Sequence, residues 1–108
     1  MVLFRIIKNN SKVTMANKVW VVVRERHTED NDSTIILGVY DNEADAIERV
    51  NEDFYETEEE YIEQWGEQYS GENHHNGYAE LHVDDAWDET RIIATGYEIN
   101  KPTFDSIF

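Results

Sequence analysis

The segment from residue 41 to 67 carries most of the side chains that could bind a charged partner. It holds twelve carboxylates and one cation, Arg49. As a helix it would be about 40 Å long, with a net negative charge about every 3.7 Å, which is close to the ~3.4 Å per charge along one DNA strand. Carboxylates at this density can stand in for phosphates in a protein groove that binds nucleic acid.

Two series of Glu in this segment repeat every four residues, so each series stacks on one face of a helix. Like charges at this spacing cost an isolated helix roughly a few tenths of a kcal/mol per pair. Either solubility or a basic partner should therefore explain them. A second acidic cluster surrounds Trp87, which is interpreted as a core residue or a partner contact. The candidate partner-binding residues are Glu48, Glu52, Glu56, Glu59, Glu60, Glu63 and Glu67 in the first segment and Asp84, Asp85, Asp88 and Glu89 in the second cluster.

Aromatic residues lie beside the acids and have two interpretations. Tyr and Trp anchor many protein interfaces, but aromatics at helical spacing also form cores. Both roles stay open for Tyr55, Tyr61, Trp65 and Tyr69.

Histidines are the only candidate metal ligands that stand out. His74, His75, Glu80 and His82 lie around a predicted turn, and three of them could hold zinc or nickel. Their spacing matches no metal-binding motif, so we predict neither a metal nor another cofactor. The chain has no cysteine, no Gly-rich phosphate loop and no Gly-x-Ser-x-Gly motif. We therefore predict that it is not an enzyme.

The elements that position these residues follow from the apolar pattern. Strands are predicted at 18–26 and 34–40, joined as a hairpin by a polar turn, and at 78–83 and 91–99. The sequence Asn76-Gly77 favours a tight turn before the third of them. In that strand Ala79, Leu81 and Val83 share one side, and in the last strand Ile93, Tyr97 and Ile99 are in phase. Residues 2–7 could add an N-terminal strand.

The helical region begins after Asp41-Asn42, a helix N-cap signal. Ile47, Val50 and Phe54 share one helix face. A capping box at Thr57 predicts a second helix, although one bent helix remains the alternative. The expected fold is therefore α+β, an antiparallel sheet of about four strands with one or two acidic helices on one face, in the order β-β-α-β-β.

Composition restricts the partners. Nine Lys and Arg against 24 Asp and Glu give a net charge of −15, which argues against binding nucleic acid or an anionic membrane. No apolar stretch is long enough to span a bilayer, and the absence of cysteine fits a reducing cytoplasm. Residues 1–26 carry a net charge of +5 and residues 27–108 one of −20. Because Met15 resembles a natural start, we expect a basic N-terminal extension, 1–14, and a single acidic domain, 15–108.

Part of the chain resembles a small domain of unknown function found in phages and bacteria. The resemblance rests on a Val-rich strand at 19–23, the sequence Ile-Leu-Gly-Val-Tyr at 36–40, a helix with an early Ala44, and Gly-Tyr-Glu-Ile at 96–99. It implies an α+β fold and a phage-related setting but no activity. In type, the small acidic chain without catalytic motifs also resembles phage-encoded DNA-mimic inhibitors such as anti-CRISPR proteins.

Two functional hypotheses follow. In the first, the chain is a non-enzymatic inhibitor in the cytoplasm of a bacterial host. It binds the basic nucleic-acid groove of a host protein, with a Cas nuclease as the first candidate. In the second, it is an accessory module that binds another protein through its sheet or its apolar tail at 104–108, and its acidity serves only solubility. The oligomeric state is left open.

Overall fold

The computed structural model describes residues 18–84 and 87–99, whose elements follow the order β-β-α-β-β-β. The strands are β1 (Lys18–Thr28), β2 (Asp32–Tyr40), β3 (Tyr69–Asn73), β4 (Tyr78–Val83) and β5 (Asp88–Glu98). One helix, α1 (Glu43–Trp65), leads through a short 3-10 turn (Gly66–Gln68) into β3. The predicted α+β class is confirmed.

The five strands form one antiparallel sheet in the order β2-β1-β5-β4-β3. The long pairing of β1 with β5 joins the two halves of the described chain. It begins at Lys18 opposite Glu98 and ends at Thr28 opposite Asp88. A bulge interrupts the pairing of β1 with β2 between Val22 and Val23.

Helix α1 covers one face of this sheet and contacts all five strands. The Asn42 side chain caps it by accepting a hydrogen bond from the Asp45 N–H at 2.8 Å. Ala46, Val50 and Phe54 are buried on the sheet side of the helix. Alternate residues of the strands pack against the helix, because successive strand side chains point to opposite faces of the sheet. Those buried side chains are Val22 of β1, Ala79, Leu81 and Val83 of β4, and Ile92 of β5.

The sheet has five strands rather than the predicted number of about four. The strand that was not predicted from the sequence is β3. Its sequence, Tyr-Ser-Gly-Glu-Asn, has little β-propensity, and a glycine such as Gly71 is typical of the end of a helix. The segment is a strand because β4 supplies its hydrogen-bond partners. The predicted Asn76-Gly77 turn is present between them, and Gly77 has a φ of 98° that few other residues adopt.

The predicted break at Thr57 is absent, and α1 is continuous through this residue. Thr57 is 5% exposed, so it faces the sheet instead of capping a new helix. In β5 the buried residues are Asp88, Thr90 and Ile92. The predicted in-phase pair Ile93 and Tyr97 therefore lies on the opposite side of the sheet. The strand predicted at 2–7 and the tail at 104–108 lie outside the described residues.

Within the described residues, no helix combines the length and apolar character needed to cross a membrane.

Candidate partner-binding surface

The two predicted Glu series are positions 48, 52, 56 and 59, 63, 67. The continuity of α1 brings all of these except Glu67, which lies beyond the helix, onto one face. Glu48 and Glu59 are eleven residues apart, almost three full turns at about 3.6 residues per turn. The two series therefore overlie each other on the helix surface. We call the resulting set the acidic ridge. It consists of five exposed residues, Glu48, Glu52, Glu56, Glu59 and Glu63.

The charge of the acidic ridge is largely uncompensated. Among the described residues, the cation paired with it is Arg49, whose Nη1 lies 3.7 Å from Glu52 Oε1. The other four described cations bind elsewhere: Lys18 lies over the Trp20 ring, and Arg24, Arg26 and Arg91 pair with Asp53, Asp88 and Glu89. The ridge is about 22 Å long at ~1.5 Å per residue.

The charge density decides how closely α1 resembles a phosphate chain. Ten carboxylates of α1 stand against Arg49, which gives about one net charge per 3.8 Å over a helix about 35 Å long. This density approaches the ~3.4 Å of one DNA strand. The ridge alone is sparser, with a carboxylate about every 5–6 Å of helix axis. The match is one of overall charge rather than of phosphate-by-phosphate register.

Two large apolar side chains lie among these carboxylates. Tyr55 is 51% exposed and Ile62 is 52% exposed. They are seven residues apart, so they lie on nearly the same line along α1. Ile62 was not among the predicted partner-binding residues. The phase of a single helix through Val50 and Phe54 would have placed Ile62 outward.

Asp53 is the one buried carboxylate of α1. It is 2% exposed and accepts two hydrogen bonds from Arg24 Nη1, at 2.9 and 3.2 Å. Burial raises the pKa of Asp53, although Arg24 and Arg49 oppose the rise. Arg24 was counted in the basic N-terminal region, but its side chain holds α1 onto the sheet.

Asp88 does not extend the acidic surface as predicted, because it is 7% exposed and ion-paired. Arg26 Nε and Nη2 donate to its two oxygens at 3.0 and 2.7 Å. The Tyr61 hydroxyl also donates to Asp88, at 2.7 Å, and lies 2.7 Å from the Thr90 hydroxyl. The hydrogen bond to Asp88 raises the pKa of Arg26, and burial raises the pKa of Tyr61 to about 12.

The remaining predicted acids do not join the ridge as one surface. Glu60 is exposed on α1, on the side where its charge acts on Arg26. Glu67 is exposed in the 3-10 turn, and exposed Asp84 lies beside that turn, since its N–H donates to the Gln68 carbonyl. Glu89 lies on the face of the sheet that is free of α1, and Asp85 lies outside the described residues.

The other aromatics divide between core and surface. Tyr61 is in the core at 2% exposure, and Trp65 and Tyr69 pack against its edge. The Tyr69 hydroxyl donates to Glu58 at 2.7 Å, and burial together with that carboxylate raises the pKa of Tyr69. Trp87 is 71% exposed, which favours the partner-contact interpretation over the core one.

Of the three histidines near the turn, His74 and His82 lie close to different carboxylates. His74 lies 3.8 Å from Glu72 and 3.7 Å from Glu80, and His82 lies 3.9 Å from Asp84. His75, at the turn, is exposed. In the part of the chain that the structure describes, no group of three or more His, Cys, Asp or Glu side chains is arranged to hold a metal ion.

No protein-family model, curated protein or solved structure matches the chain. The resemblance to a phage and bacterial domain and the likeness to phage-encoded inhibitors therefore stay predictions.

Proposed function

We propose that the chain is a non-enzymatic inhibitor whose acidic ridge occupies the basic nucleic-acid groove of a host protein. The observation that carries the proposal is the placement of five of the six Glu of the two series, the acidic ridge, on one exposed face of a continuous helix. The core does not need these carboxylates. Because they repel one another, folding does not explain their presence on one face, whereas binding to a cationic partner would.

The way α1 is held supports a rigid binding surface. Arg24 bonds Asp53 from the sheet, Asn73 of β3 donates to Asn51 at 3.0 Å, and Tyr69 donates to Glu58. Asp53 lies on the sheet-facing side of α1, and Asn51 and Glu58, seven residues apart, lie along one flank, so the three contacts orient the ridge outward. A pre-oriented ridge loses little conformational freedom on binding. Its field also accelerates association with a basic groove.

Tyr55 and Ile62 give the proposed surface apolar contacts among its charges. Charge alone would bind any cation weakly and would be screened by salt. Partly buried aromatic and aliphatic side chains supply the contact area that makes an interface specific. The first candidate partner is a phage-targeting Cas nuclease in the cytoplasm of a bacterial host, because its guide and target strands occupy a positively charged channel.

Displacement of DNA is the direct test. A purified Cas nuclease with its guide would be incubated with fluorescent target DNA, and anisotropy would follow DNA release as the chain is added. We expect the unmodified chain to displace DNA and the triple variant Glu56→Lys, Glu59→Lys, Glu63→Lys to fail. The matched control is Glu29→Lys, Asp30→Lys, Glu72→Lys, which changes the net charge equally at exposed positions off the helix.

The outcome separates the hypotheses. Equal displacement by both triple variants would refute the ridge as the binding surface. If no Cas nuclease loses its DNA, proteins captured from bacterial lysate on the unmodified chain and released by salt would be purified and put through the same competition. Capture that survives the ridge substitutions and high salt would favour the accessory-module hypothesis.

A further inference from the structure

The sheet face opposite α1 has an apolar half. Alternate residues of β1 point there, away from buried Val22, and the registers bring apolar partners beside them from β2 and β5. Tyr97 and Ile36 on this face are 54% and 66% exposed. On this face, β1, β2 and β5 contribute the apolar side chains of Val19, Val21, Val23, Ile36, Val39 and Ile93. We call these residues, with Tyr97, the apolar half.

The rest of the same face is acidic. Its two last rows across the sheet hold five carboxylates against one arginine, Arg91, which lies 3.4 Å from Glu89. Histidines are interspersed, as where His27 bonds Asp32 at 3.0 Å. We call the five carboxylates the acidic half. They are Glu25, Asp32, Glu72, Glu80 and Glu89.

The size of the apolar half indicates a contact site. It extends over about three rows of the three strands β2, β1 and β5, on the order of 300 Å² from the usual strand and residue spacings. Exposed patches of this size in soluble proteins are commonly functional contacts. None of the described elements covers this face, since α1 packs on the opposite one.

Charge discriminates between occupants. A second copy of the chain would bring a second acidic half against the first, and both copies are strongly negative overall. An apolar segment with positive charge would satisfy both halves of the face. Residues 1–17 have this composition: the run 2–7 is apolar except for Arg5, the other cations are Lys8 and Lys12, and there is no carboxylate.

The position of residues 1–17 in the chain also fits. They join the described structure at Lys18, the residue next to Val19 at the apolar end of the face. The apolar run of six residues would extend about 20 Å as a strand, similar to the length of the apolar half. The ten residues between it and Lys18 can span up to about 33 Å, enough to reach any part of the half.

We propose that residues 1–17 dock on the sheet face opposite α1, with the run 2–7 on the apolar half and the three cations toward the acidic half. This segment is then part of the domain rather than an extension of it. The sheet face is occupied from within the chain, and the acidic ridge is the surface left for partners.

Paramagnetic broadening in NMR spectra tests the docking in the full chain. Because the chain has no cysteine, a single Thr34→Cys places one spin label on the face opposite α1. Glu48→Cys, on the acidic ridge, is the matched control on the other side of the molecule. We expect the amide signals of residues 2–7 to lose intensity with the label at position 34 and to keep it with the label at position 48. Equal effects from both labels would overturn the proposal.

Two further measurements test whether a second copy occupies the face and whether the three cations are needed for docking. Spin-labelled chain at natural isotope abundance would be mixed with unlabelled, isotope-enriched chain, and broadening across that mixture would show a second copy on the face and overturn the proposal. The triple variant Arg5→Glu, Lys8→Glu, Lys12→Glu should lose the intramolecular broadening while the signals of β1 and β5 keep their positions. Broadening that survives these three substitutions would overturn the assigned role of the cations.

Discussion

Tyr61 links the core to the buried ion pair of Asp88, and its raised pKa should make the stability of the fold depend on alkaline pH. Its neutral hydroxyl donates to Asp88 and is 2% exposed. Its pKa is raised from the ordinary 10.0 to about 12 in the folded chain. A group whose pKa is raised by folding stabilises the fold below its unfolded pKa, and that contribution is lost as pH rises through the folded value.

We therefore expect the free energy of unfolding to fall by on the order of 2–3 kcal/mol as pH rises from about 10 to about 12 on account of this residue. Urea unfolding followed by Trp fluorescence across this range would measure it. Tyr61→Phe should cost about 1 kcal/mol at neutral pH, because Arg26 still satisfies Asp88. The variant should also show a shallower alkaline decline. An unchanged decline would contradict the assignment to Tyr61 and leave Tyr69, whose pKa is also raised, to account for it.

Asp53 and Glu56 are close in sequence but should differ sharply on substitution. Asp53→Ala leaves the Arg24 guanidinium without its partner between sheet and helix. Loss of one partner of a buried ion pair costs about 3–5 kcal/mol, and because Arg24 is 30% exposed we expect about 2–3 kcal/mol. Glu56→Ala, at an exposed position of the same helix, should change stability by less than about 0.5 kcal/mol. Urea unfolding of both variants at neutral pH would decide, and similar values for the two would contradict the structural role of the pair.

At the scale of elements, the acidic ridge should reduce the stability of α1. Neutralising Glu56, Glu59 and Glu63 with Gln removes several like-charge pairs at i,i+3 and i,i+4 spacing, each worth roughly a few tenths of a kcal/mol. Negative charge near the C-terminal end of a helix also opposes its dipole. In low-salt buffer we expect the triple Gln variant to be more stable by about 1 kcal/mol, as measured by thermal or urea unfolding.

The same triple Gln variant should bind the partner more weakly, so stability and binding should change in opposite directions. Neutral substitution at Glu29 and Asp30, in the turn between β1 and β2, is the control and should affect neither by much. Loss of stability on neutralising the ridge would mean that its carboxylates serve the fold, and would contradict their assignment to a partner.

Several elements could be predicted from sequence because their patterns are local. The β-branched run of β1, the alternation of Ala79, Leu81 and Val83, and the Asn42 cap are each readable from adjacent residues. Strand β3 could not be predicted because its stability comes from pairing with β4 rather than from its own residues. The continuity of α1 at Thr57 likewise depends on the sheet that buries this side chain.

The candidate site was predictable in composition but not in arrangement. The five ridge residues were identified from their four-residue repeats, yet their union on one face required the single helix. Asp88 looked equivalent to Asp84 and Glu89 in sequence. Its burial follows from Arg26 and Tyr61, which lie 62 and 27 residues away along the chain. Long-range ion pairs of this kind leave no local signal.

At the scale of the whole molecule, net charge makes stability depend on salt. The described residues hold 22 carboxylates against five cations, so the folded chain concentrates repulsion that the unfolded chain spreads out. At about 0.1 M salt the screening length is about 10 Å, shorter than the ridge. The buried pairs of Asp53 and Asp88 are screened less because solvent ions reach them poorly. Added sodium chloride should therefore raise the unfolding midpoint.

Partner binding should respond to salt with the opposite sign, and this opposition separates a directed acidic ridge from general acidity. Screening weakens attraction between the ridge and a basic groove while it relieves repulsion within the chain. Across one salt series, calorimetry with the purified partner should show falling affinity while thermal unfolding of the chain alone shows rising stability. The Lys triple variant at Glu56, Glu59 and Glu63 should lose most of the salt dependence of binding, whereas the equally charged Lys control at Glu29, Asp30 and Glu72 should keep it. If the two variants lost salt dependence equally, net charge rather than the ridge would govern binding, because only position distinguishes them.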